Sequence, residues 1–142
     1  MSEHSIEVRG AVHLDKLQPQ FAATCAANSD GYFPIGGESA FWMEVRPGIV
    51  VNRLLDVALK GCDVRPGALI TERHFGTLEV HGSDQGQVIR AGELILRAAG
   101  AGPDAGLRPD VLTDEIIRKI DDHQAMMINR TRAGMRLIII AW

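Results

Sequence analysis

Apolar and polar residues alternate over residues 5–14, so that Ile6 and Val8 fall on one side and Glu7 and Arg9 on the other. A period of two residues is typical of a β-strand that has one buried face. The sequence therefore predicts a strand at the start of the chain.

The pattern between residues 40 and 99 predicts the order strand, helix, strand, strand, helix. The strands are predicted at residues 40–45, 64–71 and 75–80, and the helices at residues 49–60 and after a cap at Ser83 or Asp84. Gly61 is predicted as the C-cap of the first of these helices. A shorter helix is predicted earlier, at residues 20–27. Strands and helices in this order predict an α+β fold in which helices pack against one sheet.

The last third of the chain is predicted to contain a linker, a helix and an apolar tail. Residues 99–106 are rich in glycine and favour a linker, although they also contain a GxGxxxG spacing. Because that spacing follows a helix and not a strand, a dinucleotide-binding loop is disfavoured. Thr113–Arg130 is predicted as the best helix of the chain, capped by Thr113. The apolar run at residues 137–142 needs cover, either as a buried strand or in an interface.

Composition and charge exclude several classes of function. The chain has 142 residues and a net charge of −3, with its basic residues scattered along it. These properties indicate one soluble domain and no nucleic-acid or membrane partner. The N-terminus has no apolar segment typical of a secretion signal, and Cys25 and Cys62 form no CxxC motif. We therefore expect a cytoplasmic protein with reduced thiols.

The polar residues form no recognisable catalytic or metal-binding constellation. Glu79 and His81 share one strand face, but two ligands do not make a closed metal site. The run from Asp121 to His123 is interpreted as solvated charge in the middle of a helix, and Ser83 as a helix cap. The sequence predicts neither an enzyme nor a cofactor nor a bound metal.

Three motifs occur in a fixed order between residues 55 and 83: LDVALKGCDV at residues 55–64, ERHFG at residues 72–76 and LEVHGS at residues 78–83. Together they resemble the domain of bacterial microcompartment (BMC) shell proteins. Residues 12–20, VHLDKLQPQ, are similar to the strand and turn that close this domain at its C-terminus in most members. Because that segment comes first here, the chain resembles the circularly permuted members found in ethanolamine- and propanediol-utilisation compartments.

The resemblance implies an α+β fold: a circularly permuted BMC domain with an antiparallel sheet flanked by helices, and an extra helix at the C-terminus. The domain is expected over residues 1–99, with the strand at residues 5–14 completing the core at residues 40–99, and the linker, helix and tail over residues 100–142. The implied function is that of a structural shell protein. It forms a cyclic hexameric tile with a central pore for small metabolites. The implied partners are further copies of the chain, other shell proteins and encapsulated enzymes.

The resemblance also implies roles for individual residues. Arg73, His74, Phe75 and Gly76 match the loop that lines the central pore. Sixfold repetition turns one arginine into a ring of positive charge, which favours small anions.

Two further pairs of residues receive roles in the same way. Lys60, with Asp56 one turn before it, matches the edge position at which neighbouring tiles meet. Ile6 and Val8 are candidates for a small β-barrel above the ring axis.

Two alternatives stay open at this point. One is a small α+β ligand-binding or regulatory oligomer, which a deep pocket would distinguish. The other is a fragment of a two-domain shell protein that forms trimers of pseudo-hexameric shape.

Overall fold

The computed structural model describes residues 5–108 and 114–130. The chain divides into two compact units, Met1–Arg108 and Pro109–Trp142, which are described separately. Thr113 and the apolar tail at residues 137–142, both singled out by the sequence pattern, lie outside the described residues.

The first unit contains a four-stranded antiparallel sheet in the order β1-β2-β4-β3. Its strands are β1 (Glu7–Leu14), β2 (Ser39–Arg46), β3 (Arg65–Glu72) and β4 (Phe75–Gly82). Its helices are α1 (Pro19–Ala27), α2 (Val51–Gly61) and α3 (Gln85–Ala98), and a single 3-10 turn (Gly48–Val50) precedes α2. The predicted α+β fold with an antiparallel sheet is confirmed.

One face of the sheet is covered by α2 and α3. Met43, Val45, Leu78 and Val80 point from β2 and β4 into this layer, and all four are fully buried. They meet apolar residues that recur at helical spacing on the two helices: Val51, Leu54, Ala58, Val88, Ala91 and Ile95. This contact forms the main core of the unit. Removing apolar surface from water is the dominant favourable term in folding.

Helix α1 and the loop that follows it cover part of the opposite face of the sheet. A small apolar cluster of Leu17, Ala22 and Ala40 joins α1 to the sheet. The loop is fixed to β3 by two backbone hydrogen bonds, from Gly31 N to Gly67 O at 3.0 Å and from Tyr32 N to Pro66 O at 2.9 Å. The two faces of the sheet are therefore covered by different segments.

Local cap chemistry agrees with the sequence for one helix and corrects it for another. Asp84 caps α3, since its carboxylate accepts from Gly86 N at 2.9 Å and from Gln87 N at 3.3 Å. Gly61, predicted as the C-cap of α2, is the last residue of that helix, and Cys62 is the cap. The extended backbone of Cys62, and not a left-handed glycine, ends the helix.

In the second unit, the helix predicted over Thr113–Arg130 is wrong for residues 114–121, because α4 spans only Asp122–Arg130. The Asp121 carboxylate accepts from His123 N at 2.9 Å, so this acidic run marks the start of the helix and not its middle. Lys119 adopts a φ of +52°, which no helix continues through. Within the described residues of both units, no helix combines the length and hydropathy of a membrane span.

Candidate functional site

The turn between β3 and β4 holds the four residues matched to a pore loop. Glu72 pairs with Phe75, so Arg73 and His74 alone form the two-residue connection. Both are exposed, whereas Phe75 is half-buried and Gly76 is buried. Arg73 adopts a φ of +32°, a conformation that tight hairpin turns require and that non-glycine residues seldom adopt. Of these four residues, only Arg73 and His74 are therefore exposed.

The segment that leads into α2 contacts this 73–76 turn and holds it in place. Gly48 N donates a hydrogen bond to His74 O at 2.9 Å. A Cβ on Gly48 would lie against the carbonyl of Phe75, and a Cβ on Gly76 would lie against the carbonyl of Gly48, in both cases well inside van der Waals contact. Glycine is required at both positions because the two backbones touch directly.

A third element, β1, also reaches this turn through Arg9. The guanidinium carbon of Arg9 lies 4.4 Å from the centre of the Phe75 ring. The Arg9 Nε atom donates to Glu44 Oε1 at 3.0 Å, and Nη1 lies 3.5 Å from Glu7 Oε1. The register between β1 and β2 shifts between Val8 and Gly10, which makes Arg9 an extra residue in the strand.

Sequence reasoning missed Arg9 as a functional candidate. The alternating pattern placed it on a polar, outward side of the strand. The available signal was the neighbouring Gly10, because an isolated glycine inside a strand pattern often marks a bulge.

The exposed surface of α2 carries the two residues matched to a tile edge. Lys60 Nζ lies 2.7 Å from Asp56 Oδ2, and their side chains are 75% and 55% exposed. Leu59 beside them is 41% exposed. We call these three residues the edge face. Sequence reasoning placed Asp56 and Lys60 correctly on one helix surface.

The edge face and the 73–76 turn belong to opposite ends of the unit. Helix α2 begins three residues after Gly48, which contacts the turn, and ends at Gly61. Strand β3 then returns from Arg65 to the turn itself. Since α2 has 11 residues, its length is roughly 16 Å. One helix therefore connects an exposed hairpin turn with a polar surface at the far end.

Ile6 and Val8 contribute to the core of the unit. Val8 is 8% exposed and pairs with Val45, and Ile6 packs against the same cluster. The axial barrel stays a prediction, and the described contacts of both side chains are internal.

A buried acid–base pair lies under the opposite face of the sheet. The Nδ1 atom of His81 lies 3.0 Å from Oε1 and 3.1 Å from Oε2 of Glu79, and both side chains are fully buried. Burial, and secondarily the negative charge of Glu79, raises the pKa of the nearby Cys25 thiol. The sequence showed that Glu79 and His81 share a face but not that this face is sealed.

This pair has little capacity for chemistry on a substrate. It has no solvent-exposed atom through which a substrate would be reached. In residues 5–108 and 114–130, no group of three or more His, Cys, Asp or Glu side chains is placed to hold a metal ion.

Comparison with known proteins gives consistent matches. Residues 8–104 match the model of the CsoS1D N-terminal domain family. The carboxysome shell protein CcmP of Synechococcus elongatus is 43% identical over 133 residues, which cover 94% of this chain and 62% of the relative.

Two solved structures are also similar. The fused permuted hexameric shell protein MSM0275 from the RMM microcompartment superposes with a TM-score of 0.72 at 39% identity, covering 90% of this chain and 63% of that one. The double-ringed trimeric shell protein MSM0271 from the same microcompartment gives a TM-score of 0.71 at 40% identity, covering 91% and 62%. The chain thus spans about three-fifths of the length of these relatives.

Proposed function

The chain belongs to the CsoS1D N-terminal domain family of permuted microcompartment shell proteins, and from that premise we propose that it is a structural shell component, located in the shell of a bacterial compartment, and not an enzyme. The observation that carries this proposal is the placement of an exposed, charged turn and a polar edge face at opposite ends of one unit. Such a unit offers one surface for a ring axis and another for contacts with a neighbouring ring. The sealing of Glu79 and His81 inside the fold supports a non-catalytic role.

Six copies of the unit close into a flat ring with the 73–76 turn at the axis. Head-to-tail contacts that close after six rotations leave six equivalent outer edges, so that rings tile into a sheet. Arg73 and His74, the exposed residues of the turn, then repeat six times around a central pore. A ring of arginine charge at this constriction favours small anionic metabolites over cations.

The edge face joins neighbouring rings. Lys60, at the C-terminal end of α2, has an aliphatic stem that covers apolar surface and an ammonium group that binds carbonyl oxygens of the next ring. Its ion pair with Asp56 holds the ammonium at the surface before contact. Other shell proteins with the same edge chemistry and encapsulated enzymes are the further partners in this proposal.

Native mass spectrometry combined with sedimentation tests the proposal. We expect six copies per ring for the unaltered chain, and sheets or tubes when the protein is concentrated. We expect Lys60→Ala to keep the ring mass and lose the sheets, because in this proposal Lys60 lies between neighbouring rings and not between subunits of one ring. Arg90→Ala, which removes an exposed charge from α3, is the matched control and retains both.

Each other outcome has a definite meaning. A monomer at concentrations where shell proteins assemble would contradict the proposal. A mass of three copies would contradict the sixfold ring proposed here. Loss of the ring itself in Lys60→Ala would show that the edge face lies between subunits of one ring.

A further inference from the structure

Arg9, on β1, contacts the 73–76 turn through the ring of Phe75. No catalytic or pore motif pointed to this residue. We propose that Arg9 is a positioning residue that fixes the orientation of this turn, and through it the permeability of the pore; this rests on the ring proposed above. Arg9 acts through Phe75 and does not itself contact the permeating molecule.

The contact spans the sheet. Strand β2 lies between β1 and β4 in the sheet order, so Arg9 reaches across β2 to the first residue of β4. Glu44, on β2, is the register partner of both Gly10 and Thr77. Its carboxylate therefore lies along the path of the Arg9 side chain and binds it at 3.0 Å.

The chemistry of the contact suits arginine and not lysine. A planar guanidinium stacks on an aromatic face and keeps its N–H groups free to bind a carboxylate in its own plane. Arg9 does both, with Phe75 on its face and Glu44 at its Nε atom. An ammonium at the same place is a point charge without this flat surface, so the two requirements are met only by the native side chain.

The chain of contacts ends at the exposed residues of the turn. The His74 ring meets the Phe75 ring edge-on, with centroids 6.3 Å apart and an interplanar angle of 88°. Phe75 therefore lies between Arg9 and His74. A Phe75 ring that loses Arg9 has more freedom to reorient, and His74 and Arg73 move with it.

The charge of Arg9 is held behind the turn and not presented at its tip. Two carboxylates face it, those of Glu44 and Glu7, and its side chain is 29% exposed. Arg73, by contrast, is exposed on the turn. Removing Arg9 therefore changes where the turn lies more than it changes the potential in front of the turn.

The test measures how fast a cysteine on the turn reacts with two thiol reagents of opposite charge. The reporter is Arg73→Cys in a Cys62→Ser background, which keeps the contact between the His74 and Phe75 rings; Cys25 is buried and therefore reacts slowly. The reagents are sulfonatoethyl (negative) and trimethylammonioethyl (positive) methanethiosulfonate. The rates are compared among the reporter protein, Arg9→Gln, Arg9→Lys and Arg65→Gln, in which an exposed arginine at the far end of β3 is the matched control.

We expect Arg9→Gln to change both rates in the same direction by about two- to fivefold, the population change that loss of one partly exposed cation–π contact produces. Arg9→Lys, which keeps the charge but not the planar group, changes both rates in that direction by a smaller factor. Arg65→Gln leaves both rates unchanged. In a Phe75→Leu background the effect of Arg9→Gln disappears, because the two residues act as one unit.

Opposite changes of the two rates would mean that Arg9 acts by charge alone, and rates equal to those of Arg65→Gln would mean that it does not act on the turn. Either result overturns the proposal. Native mass spectrometry on each variant distinguishes failure of the Arg9 proposal from failure of the ring. If the reporter protein without further change forms no ring, the proposed function is contradicted, and not the role of Arg9 alone. Arg9→Lys keeps the test available if Arg9→Gln does not fold.

Discussion

Two acid–base pairs in this protein have similar distances and opposite surroundings. His81 lies 3.0 Å from Glu79 under the sheet, and Lys60 lies 2.7 Å from Asp56 on the edge face. The first pair is fully buried, whereas the side chains of the second are 75% and 55% exposed. The distance alone does not determine what such a pair contributes. Breaking a buried pair costs much stability, whereas an exposed pair contributes little to stability and can contact another molecule.

The same contrast applies to glycines and to cysteines. Gly76 and Cys25 are buried beside the sheet, whereas Gly61 and Cys62 are at the end of α2. The residues of the sheet region are buried, whereas those at the end of α2 are exposed or partly exposed. Three predictions test this difference, each pairing a residue of the sheet region with one on α2.

The largest effect is expected from the two acid–base pairs. Glu79→Ala removes one partner of a buried pair and leaves a space beside His81. We expect it to lower the free energy of unfolding by about 3 kcal/mol. Asp56→Ala breaks an exposed pair on a helix surface and lowers it by about 0.5 kcal/mol or less. Urea unfolding followed by circular dichroism measures both values, and equal losses would show that the two pairs do not differ in this way.

An intermediate effect is expected from the glycines. Gly76→Ala places a Cβ against the backbone carbonyl of Gly48, which has no freedom to move aside. We expect a loss of about 1–3 kcal/mol, typical of overpacking.

Gly61→Ala is the matched variant on α2. Its Cβ meets the end of the flexible Leu94 side chain, at 2.6 Å. The free-energy cost of moving that side chain is offset by a gain in helix propensity of about 1 kcal/mol. We therefore expect little net change in the midpoint of thermal unfolding. A loss as large as that of Gly76→Ala would contradict the contrast.

The smallest effect on the free energy of unfolding belongs to the comparison of the cysteines, which is measured as a reaction rate. Cys62 is partly exposed and Cys25 is buried. We expect a thiol reagent to modify Cys62 first and Cys25 on the order of a hundredfold more slowly, because Cys25 reacts only when the structure opens locally. Mass spectrometry of peptides at successive times measures both rates. Modification of Cys25 at the rate of Cys62 would show that the region under the sheet opens readily.

Cys25 also gives a pH dependence of stability. Its pKa is raised in the folded protein by burial and by Glu79, so the unfolded chain loses this proton at lower pH than the folded one. Stability from this group is therefore fully present below the ordinary thiol pKa and declines as the pH rises above it. Cys25→Ala removes that part of the decline.

The sequence predicted most of the fold because its strongest signals are local. Alternation over residues 5–14 and the apolar spacing of residues 49–60 each reflect one buried face, and a single periodicity suffices to identify them. The helix over residues 114–121 was wrong for the complementary reason: periodicity was present, but Ile116 and Ile117 are 81% and 59% exposed. The cap at Asp121 determines where α4 begins.

The candidate site was predicted only in part. Asp56 and Lys60 were singled out together, and their side chains form an ion pair, since residues four apart on a helix are neighbours whatever surrounds them. The pore and edge roles of these residues stay predictions. Arg9 was missed because its neighbour Phe75 is 66 positions away and is separated from it by another strand.

By itself, the sequence determined the order of the strands and helices and which residues lie on the buried face of each. It also determined the resemblance to permuted shell proteins. These properties depend on the periods and motifs of single segments. Tertiary structure decided which acid–base pair is buried, which backbones touch at Gly48 and Gly76, and which arginine supports the turn. Those properties depend on strand register and on contacts between distant segments. The one-residue shift between Val8 and Gly10 that brings Arg9 to Phe75 is fixed only when the sheet forms.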